Sequence, residues 1–181
     1  LTPKLIASYI AAVLLMMWAR PAMWSLLATI PLFIFGEWIR VWGTGHLRKN
    51  EAVITSGPYS HLRDPLYMGT LSILSGFAIA GRVYEMLIVI WALFFLYYMP
   101  YKRRREGDRL ARKFGKAYED YRKEVNSLWP RLSPYRGPDF GTRWSGPLVV
   151  ENHEIGTGVA VVVFYAILVA KCIFFKDQFW P

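Results

Sequence analysis

Residues 84–105 read YEMLIVIWALFFLYYMPYKRRR, an apolar run that ends in four consecutive basic residues. A helix rises about 1.5 Å per residue, so roughly 20 apolar residues cross the hydrocarbon core of a bilayer. Lys and Arg next to a span favour the cytoplasmic side of the membrane. The stretch therefore predicts a membrane-spanning helix over residues 84–101 with its carboxyl end in the cytoplasm.

Four further segments of the 181-residue chain are apolar, namely residues 5–19, 22–35, 66–80 and 155–175. The chain is 54% hydrophobic yet carries a formal net charge of +9, a combination that is unusual for a soluble domain. We predict an all-α fold, a polytopic membrane helical bundle of about five transmembrane helices with a cytoplasmic amphipathic helix. A signal peptide over the first segment is the alternative, but no convincing cleavage site follows it.

The apolar segments and the basic clusters between them divide the chain into three predicted parts. Residues 1–43 form an N-terminal transmembrane hairpin, residues 44–130 a core with two spans, and residues 131–181 a connector and a C-terminal transmembrane helix. Basic segments precede and follow the two core spans, and we predict that these two basic segments lie in the cytoplasm. The protein is thus expected to be a multi-pass integral membrane protein.

A basic, amphipathic stretch follows the fourth apolar segment. Residues 103–125 combine a charged helical face with an apolar stripe formed by Leu110, Phe114, Tyr118, Tyr121 and Val125. We predict one cytoplasmic helix here. Composition alone also suits a helix that lies on anionic lipid, where each Lys or Arg near the surface gains about 1 kcal/mol. The Pro and Gly residues that follow predict an irregular connector.

Two short stretches carry the residues that are hardest to explain by structure alone. The first, residues 56–69, reads SGPYSHLRDPLYMG, in which Asp64-Pro65 is typical of a helix N-cap and first helical position. Arg63 is unusual there, because the N-terminus of a helix is the positive end of its dipole. An anion bound at that end would account for the arginine, and a carboxylate-bearing ligand is one candidate.

The second stretch, residues 104–121, reads RREGDRLARKFGKAYEDY and begins where the chain leaves the predicted membrane span. Glu106 is an acid that directly follows a basic run. Neutralisation of the surface charge and ligand binding are both open on composition alone.

Together, the two stretches resemble the isoprenylcysteine carboxyl methyltransferase and phospholipid methyltransferase family of membrane enzymes. Those proteins carry a Gly-Pro-Tyr, Arg-His-Pro, Tyr, Gly pattern before one span, and a Glu-Glu, Leu, Phe-Gly, Tyr, Tyr pattern near a proline after the next. The resemblance covers roughly residues 36–130. The counterparts in this chain are Gly57-Pro58-Tyr59, Arg63-Asp64-Pro65, Tyr67, Gly69, Glu106, Leu110, Phe114-Gly115, Tyr118, Tyr121 and Pro130, with Arg40-Val41-Trp42 near the end of the preceding span.

The resemblance implies S-adenosyl-L-methionine as the cofactor, bound between the two motifs, with S-adenosyl-L-homocysteine as the product. Arg63 and Glu106 would anchor the methionine moiety by opposite charges. Three tyrosines would line the adenosine and methyl-transfer region, namely Tyr59, Tyr67 and Tyr118. The catalytic candidates are Arg63, Asp64, Tyr67 and Glu106. The cofactor-binding candidates are Tyr59, His61, Arg63, Asp64, Pro65, Tyr67, Gly69, Glu106 and Tyr118.

Two positions depart from the family pattern inside the implied pocket. Asp64 stands where the family has His, and Gly107 stands where it has a second Glu. The Asp64 carboxylate would repel the carboxylate of the cofactor but could pair with its ammonium, or it could only cap the helix. A redirected reaction, a weakened one and a non-catalytic membrane protein of the same fold are all open.

The predicted reaction transfers a methyl group to a lipophilic acceptor that reaches the site from the bilayer. Carboxyl O-methylation of an isoprenylcysteine-like acceptor is favoured, and phospholipid (ethanolamine) N-methylation is the alternative. The expected partner is therefore a lipid or a prenylated small molecule or protein, and not a nucleic acid. Sterol reductases, which use NADPH, resemble the family in their carboxyl-terminal region, but this chain is short for one.

Other site chemistries have weaker support. Cys172 is the one cysteine, and the three histidines do not recur at ligand spacing, so we expect no metal cofactor. Gly43-Thr44-Gly45 and Gly156-Thr157-Gly158 lack the third glycine and the preceding strand of a Rossmann turn.

A charged pair also lies within the second predicted span. Glu37 and Arg40 are three residues apart and can share a helix face. They predict either an interfacial ion pair or part of the substrate access route.

Overall fold

The computed structural model describes residues 16–49 and 51–174, with the side chain of Arg103 excepted. Within this part of the chain all regular structure is helical, which confirms the all-α prediction. A short 3-10 helix spans Gly57–Ser60. The third α-helix, α3, spans Tyr84–Phe114 and has three parts: an α-helical part over Tyr84–Ala92, a π-helical part over Leu93–Tyr98 and an α-helical part over Met99–Phe114. The α-helices are α1 Met23–Thr44, α2 Pro65–Ala80, α3 Tyr84–Phe114, α4 Lys116–Glu124, α5 Gly146–Glu151 and α6 Glu154–Phe174.

Three of these helices, α1, α3 and α6, are long and apolar enough to cross a membrane. Helix α2 is apolar but has only 16 residues, fewer than the roughly 20 that a perpendicular crossing requires. The predicted span over residues 5–19 lies outside the described residues except at its last four positions. The structure therefore supports a helical membrane protein and shows three of the five predicted spans at full length.

Helices α1 and α2 are antiparallel and approach closely at two glycines. A Cβ added to Gly36 would lie 2.9 Å from the Gly69 carbonyl oxygen, and one added to Gly69 would lie 2.7 Å from the Gly36 carbonyl oxygen. Small residues at such crossings let two helix backbones come together within a membrane. The pair is also joined by a hydrogen bond from the Ser72 hydroxyl to the Leu32 carbonyl, at 2.8 Å.

Helix α6 packs against α1 and α2 through aromatic side chains. The ring of Phe33 meets Phe77 of α2 at 4.7 Å and Tyr165 of α6 at 5.2 Å, both in edge-to-face geometry. The Tyr165 hydroxyl donates to the Leu26 carbonyl at 3.0 Å. The core of the bundle therefore lies between α1, α2 and α6.

The predicted single helix over residues 103–125 is wrong in its boundaries. Helix α3 continues from the apolar run to Phe114, and it ends there because Gly115 has a φ of 54°. Glycine adopts this left-handed region readily because it has no Cβ. The predicted apolar stripe is nevertheless real, since Tyr118, Tyr121 and Val125 form a buried cluster with Val53.

The connector between α4 and α5 follows residues 45–64 in the opposite direction. Backbone N–H groups of Arg131, Tyr135 and Ser145 donate to the carbonyls of His61, Ser60 and Gly45, respectively, at 2.8–3.0 Å. The connector is irregular, as predicted, but each of these groups is paired. The connector is therefore hydrogen-bonded to the segment that carries the first motif and stabilises it.

Candidate active site

A cavity of about 620 Å³ opens where the second half of α3 faces the start of α2. Helix α4 and residues 47–49 and 52–54 complete its walls. Cavities of this size hold cofactors and drug-sized ligands. Seven of the predicted site residues line it, namely Tyr59, Arg63, Asp64, Pro65, Tyr67, Glu106 and Tyr118.

Tyr59 enters the cavity from the 3-10 helix, which begins at Gly57 with a φ of 55°. Its hydroxyl is buried and has no hydrogen-bond partner among the described residues. Its carbonyl accepts a hydrogen bond from the Tyr121 hydroxyl at 2.8 Å. Burial raises the pKa of Tyr59, Tyr121 and Tyr118 above the usual value for a phenol, so all three remain neutral at physiological pH.

Arg63 is held by the last turn of α4 and by the segment that follows this helix. Its Nη1 donates to the Arg122 carbonyl at 3.1 Å and its Nη2 to the Ser127 hydroxyl at 2.5 Å. The Arg63 side chain is 14% exposed, and its Nε lies 3.9 Å from the nearer Asp64 carboxylate oxygen. A guanidinium has five N–H donors, so these contacts orient Arg63 without saturating it.

Asp64 begins α2 as predicted, but its side chain does not cap the helix. Its backbone carbonyl accepts from the N–H groups of Tyr67 and Met68 at 3.2 and 3.3 Å. The carboxylate is instead in close contact with the ammonium of Lys102 on α3. The interpretation of Asp64 as only a helix cap is therefore wrong.

Glu106 and Gly107 lie one turn beyond Lys102 on α3. A Glu106 carboxylate oxygen lies 3.7 Å from the Lys102 ammonium, and the Glu106 side chain is 41% exposed. A Cβ on Gly107 would be 3.5 Å from an Arg122 guanidinium nitrogen and 3.9 Å from the Tyr118 hydroxyl oxygen. A glutamate at position 107 would therefore extend towards these groups, whereas glycine leaves that volume open.

Two predicted cofactor contacts lie outside the cavity lining. The His61 Nδ1 is 2.8 Å from the Arg131 carbonyl oxygen, in the connector. Gly69 faces α1, where an added Cβ would lie 2.5 Å from the Arg40 Cγ. The geometry gives His61 a role in holding the connector and Gly69 a role in helix packing.

Several basic residues of the lining were not among the predicted site residues. Lys102 was grouped with its basic neighbours as a membrane-flanking cluster, although its i,i+4 spacing from Glu106 is a signal that the two side chains share a helix face. The lining contains seven basic side chains and two acidic ones. The basic ones are Arg40, Arg48, Lys49, Arg63, Lys102, Arg109 and Arg122.

Arg40 pairs with a carboxylate on a different helix from the one expected. Its Nε and Nη2 donate to the two Glu154 carboxylate oxygens at 2.7 and 2.9 Å, and its Nη1 donates to the Thr70 hydroxyl at 2.5 Å. The predicted ion pair with Glu37 is therefore replaced by a bidentate pair with the first residue of α6. Bidentate geometry fixes the orientation of the guanidinium.

These features define a helical membrane protein with a charged cavity at the end of its apolar helices. The chain belongs to the phospholipid methyltransferase family, because residues 8–117 match the model of that family. The matched part includes α1 to α3 and every predicted site residue except Tyr118.

Two curated relatives are similar to this chain. The cobalt-zinc-cadmium resistance protein CzcN of Cupriavidus metallidurans is 34% identical over 129 residues, which are 69% of this chain and 57% of the relative. The nickel-cobalt-cadmium resistance protein NccN of Alcaligenes xylosoxydans xylosoxydans is 35% identical over 91 residues, 49% of this chain and 41% of the relative. The chain thus spans about half the length of these relatives. No solved structure matches it.

Proposed function

We propose that this chain is an S-adenosylmethionine-dependent methyltransferase that methylates a lipophilic acceptor at the cytoplasmic face of the membrane. The observation that carries the proposal is the cavity of about 620 Å³, because residues from two separated sequence motifs converge on it. Membership of the phospholipid methyltransferase family supports the reaction class.

The residues of the cavity fit the cofactor in size, charge and hydrogen bonding. Arg63 offers a cation for the carboxylate of the methionine moiety, and the partly exposed Glu106 offers an anion for its ammonium. The Tyr59 hydroxyl is buried and without a partner among the described residues, so it can bond a polar group of the ligand. When bound, the cofactor would supply a methyl group on a positively charged sulfur.

Transfer of a methyl group from a sulfonium needs alignment and exclusion of water more than it needs an acid, because the leaving group is neutral. The chain supplies an ordered apolar wall for this purpose. The rings of Tyr67 and Tyr98 pack at 5.2 Å, and the buried Met99 lines the cavity beside them. These residues would restrict water around the reacting groups.

The acceptor that the cavity favours is a carboxylate. An amine acceptor must lose a proton, yet Tyr59, Tyr118 and Tyr121 have raised pKa values and are poor bases at neutral pH. The two carboxylates of the lining, Asp64 and Glu106, both lie beside the Lys102 ammonium, which makes them weaker proton acceptors. A carboxylate acceptor needs no base, and a predominantly basic lining attracts an anion. We therefore propose carboxyl O-methylation of an isoprenylcysteine-like acceptor ahead of phospholipid N-methylation.

The first experiment is calorimetric titration of the detergent-purified protein with S-adenosylhomocysteine. We expect micromolar binding to the wild type and an affinity at least tenfold lower for Glu106→Ala, because a charge-assisted contact contributes about 1.5–3 kcal/mol. Glu119→Ala is the matched control, since Glu119 is exposed on α4 and outside the lining. Absence of binding to the wild type, or binding of NADPH in its place, would overturn the proposal.

The acceptor is tested by transfer of a radiolabelled methyl group to a farnesylcysteine analogue or to phosphatidylethanolamine vesicles. A methyl ester releases methanol in base, whereas an N-methyl group does not. Base-labile label on the farnesylcysteine analogue is the expected result. Label stable to base on the vesicles would replace the carboxyl acceptor by the amine, and cofactor binding without turnover on either would indicate a non-catalytic member of the family.

A further inference from the structure

Lys102 occupies a central position among the predicted site residues. Its ammonium contacts the Asp64 carboxylate, lies 3.7 Å from a Glu106 carboxylate oxygen and lies 3.6 Å from the centroid of the Tyr67 ring. Its side chain is only 12% exposed. One cation therefore contacts three of the four residues predicted to be catalytic.

This environment distinguishes Lys102 from the other basic residues around it on α3. Arg104 and Arg105 are exposed and do not line the cavity, and Arg105 instead donates to the Tyr101 hydroxyl at 2.9 Å. A cation–π contact at the distance seen for Lys102 and Tyr67 favours a positive charge at this point. Lys102 thus belongs to the cavity and not to the membrane-flanking surface.

The electrostatic consequence concerns Asp64. Its carboxylate is 13% exposed and lies in the same cavity wall as Arg63, the predicted anchor for a carboxylate. An unpaired carboxylate there would repel a carboxylate-bearing ligand, and a partly buried charge is costly without a partner. The contact with Lys102 satisfies Asp64 and cancels its charge at close range.

We propose that Lys102 is a positioning residue that neutralises Asp64 and thereby allows a carboxylate-bearing ligand to bind beside Arg63. This inference rests on the proposed function, because it concerns binding of S-adenosylhomocysteine in the same cavity. It makes the pair of Asp64 and Lys102, and not either residue alone, the determinant of affinity. The ammonium also contacts Tyr67 and approaches Glu106, so it fixes the relative position of α2 and α3 at the site.

The test is a double-variant cycle read by calorimetric titration of the full chain with S-adenosylhomocysteine. Lys102→Met should lower the affinity at least tenfold, because the Asp64 carboxylate then keeps only the Arg63 guanidinium, at 3.9 Å, and competes with the ligand carboxylate for it. The double variant Asp64→Asn/Lys102→Met should bind within about threefold of the wild type, since the repelling charge is also gone. Lys102→Arg should retain most of the affinity, and Arg105→Met, on the exposed face, should retain all of it.

A second ligand separates electrostatics from a general loss of structure. 5′-Methylthioadenosine has the adenosine and sulfur of the cofactor but no carboxylate, so Lys102→Met should change its affinity less than threefold. An equal loss for both ligands would show a structural role and overturn the inference. So would wild-type affinity in Lys102→Met, or a double variant no better than Lys102→Met.

The outcome also separates this inference from the proposed function. Wild-type protein that fails to bind S-adenosylhomocysteine would overturn the proposed function and this inference together. Wild-type binding that is insensitive to Lys102→Met would overturn the inference alone. If Lys102→Met does not fold, the more conservative Lys102→Arg and the double variant decide the result.

Discussion

Two ion pairs flank the candidate active site, and they come from different parts of the chain. The pair of Lys102 and Asp64 joins α3 to the start of α2, and both residues lie within the part that matches the family. The pair of Arg40 and Glu154 joins α1 to the start of α6, and Glu154 lies outside the matched part. Arg40, Asp64 and Lys102 all line the cavity, whereas the Glu154 side chain is 2% exposed and does not.

The difference in geometry indicates a difference in role. Arg40 makes three hydrogen bonds, two to Glu154 and one to Thr70, so its guanidinium is held on both sides. Lys102 has one close carboxylate, a second at 3.7 Å and an aromatic face, so ligand binding can alter its surroundings. We infer that the first pair holds helices together and the second pair controls binding.

The largest expected effect is therefore on stability, from loss of the buried carboxylate of Glu154. Glu154→Ala leaves the Arg40 guanidinium without its partner, which should destabilise the protein by about 3–5 kcal/mol. The measurement is the thermal unfolding midpoint in detergent, followed by tryptophan fluorescence. Glu151→Ala, an exposed glutamate at the end of α5, is the matched control and should leave the midpoint unchanged.

The same pair provides an internal check on this prediction. Replacement of both partners, as Arg40→Met/Glu154→Leu, should recover most of the lost stability because no buried charge then remains unpaired. A single variant as stable as the wild type would show that Arg40 finds other partners and would remove the distinction between the two pairs.

A smaller effect is expected at the helix crossing that supports Arg40. Gly69→Ala would bring a Cβ to within 2.9 Å of the Ile39 side chain as well as against Arg40, so overpacking should cost about 1–3 kcal/mol. Gly156→Ala in α6 is the control, because no described atom beyond its chain neighbours and the adjacent helix backbone lies within 4 Å of a Cβ there. Equal unfolding midpoints for the two variants would contradict the close approach of α1 and α2.

The smallest effect concerns His46, in the segment between α1 and α2. Burial is the main cause of a lowered pKa for His46, whose Nδ1 lies 3.2 Å from the Ser56 hydroxyl oxygen. Unfolded histidine titrates near pH 6.5, so acidification below that value protonates the unfolded state preferentially and lowers stability. Above pH 6.5 this contribution is fully present.

The measurement compares the unfolding midpoints of the wild type and His46→Asn between about pH 7.5 and 5.5. This range extends about one pH unit on either side of the pKa of unfolded histidine. The variant should lose less stability on acidification than the wild type does. The exposed His153→Asn variant controls for removal of a histidine elsewhere. A steeper acid loss in His46→Asn than in the wild type would reverse the assigned sign.

The sequence allowed accurate prediction wherever composition or motif spacing alone determines the outcome. The last apolar segment was expected at residues 155–175 and the helix occupies Glu154–Phe174, because an uninterrupted apolar run has few alternatives. Tyr59, Arg63, Tyr67 and Glu106 were expected near one another and do line one cavity. Their role in binding the cofactor stays a prediction.

Features that depend on contacts between distant segments could not be predicted in this way. Lys102 sits in a basic run whose members look equivalent until α3 is packed against α2. Glu154 is 114 positions from Arg40, and no local pattern connects them. The break at Gly115 was missed because the apolar stripe continues through it, although a glycine is the one residue that favours its backbone angles.

The length of α3 sets the depth of the candidate active site relative to the bilayer. This helix has 31 residues, and Lys102 lies about 27 Å along it from Tyr84, at a rise of about 1.5 Å per residue. The hydrocarbon core is about 30 Å thick, so a helix that enters it at Tyr84 brings Lys102 to the opposite boundary. An amphiphile anchored in that leaflet would hold its polar head at the same level as the cavity, without leaving the lipid phase.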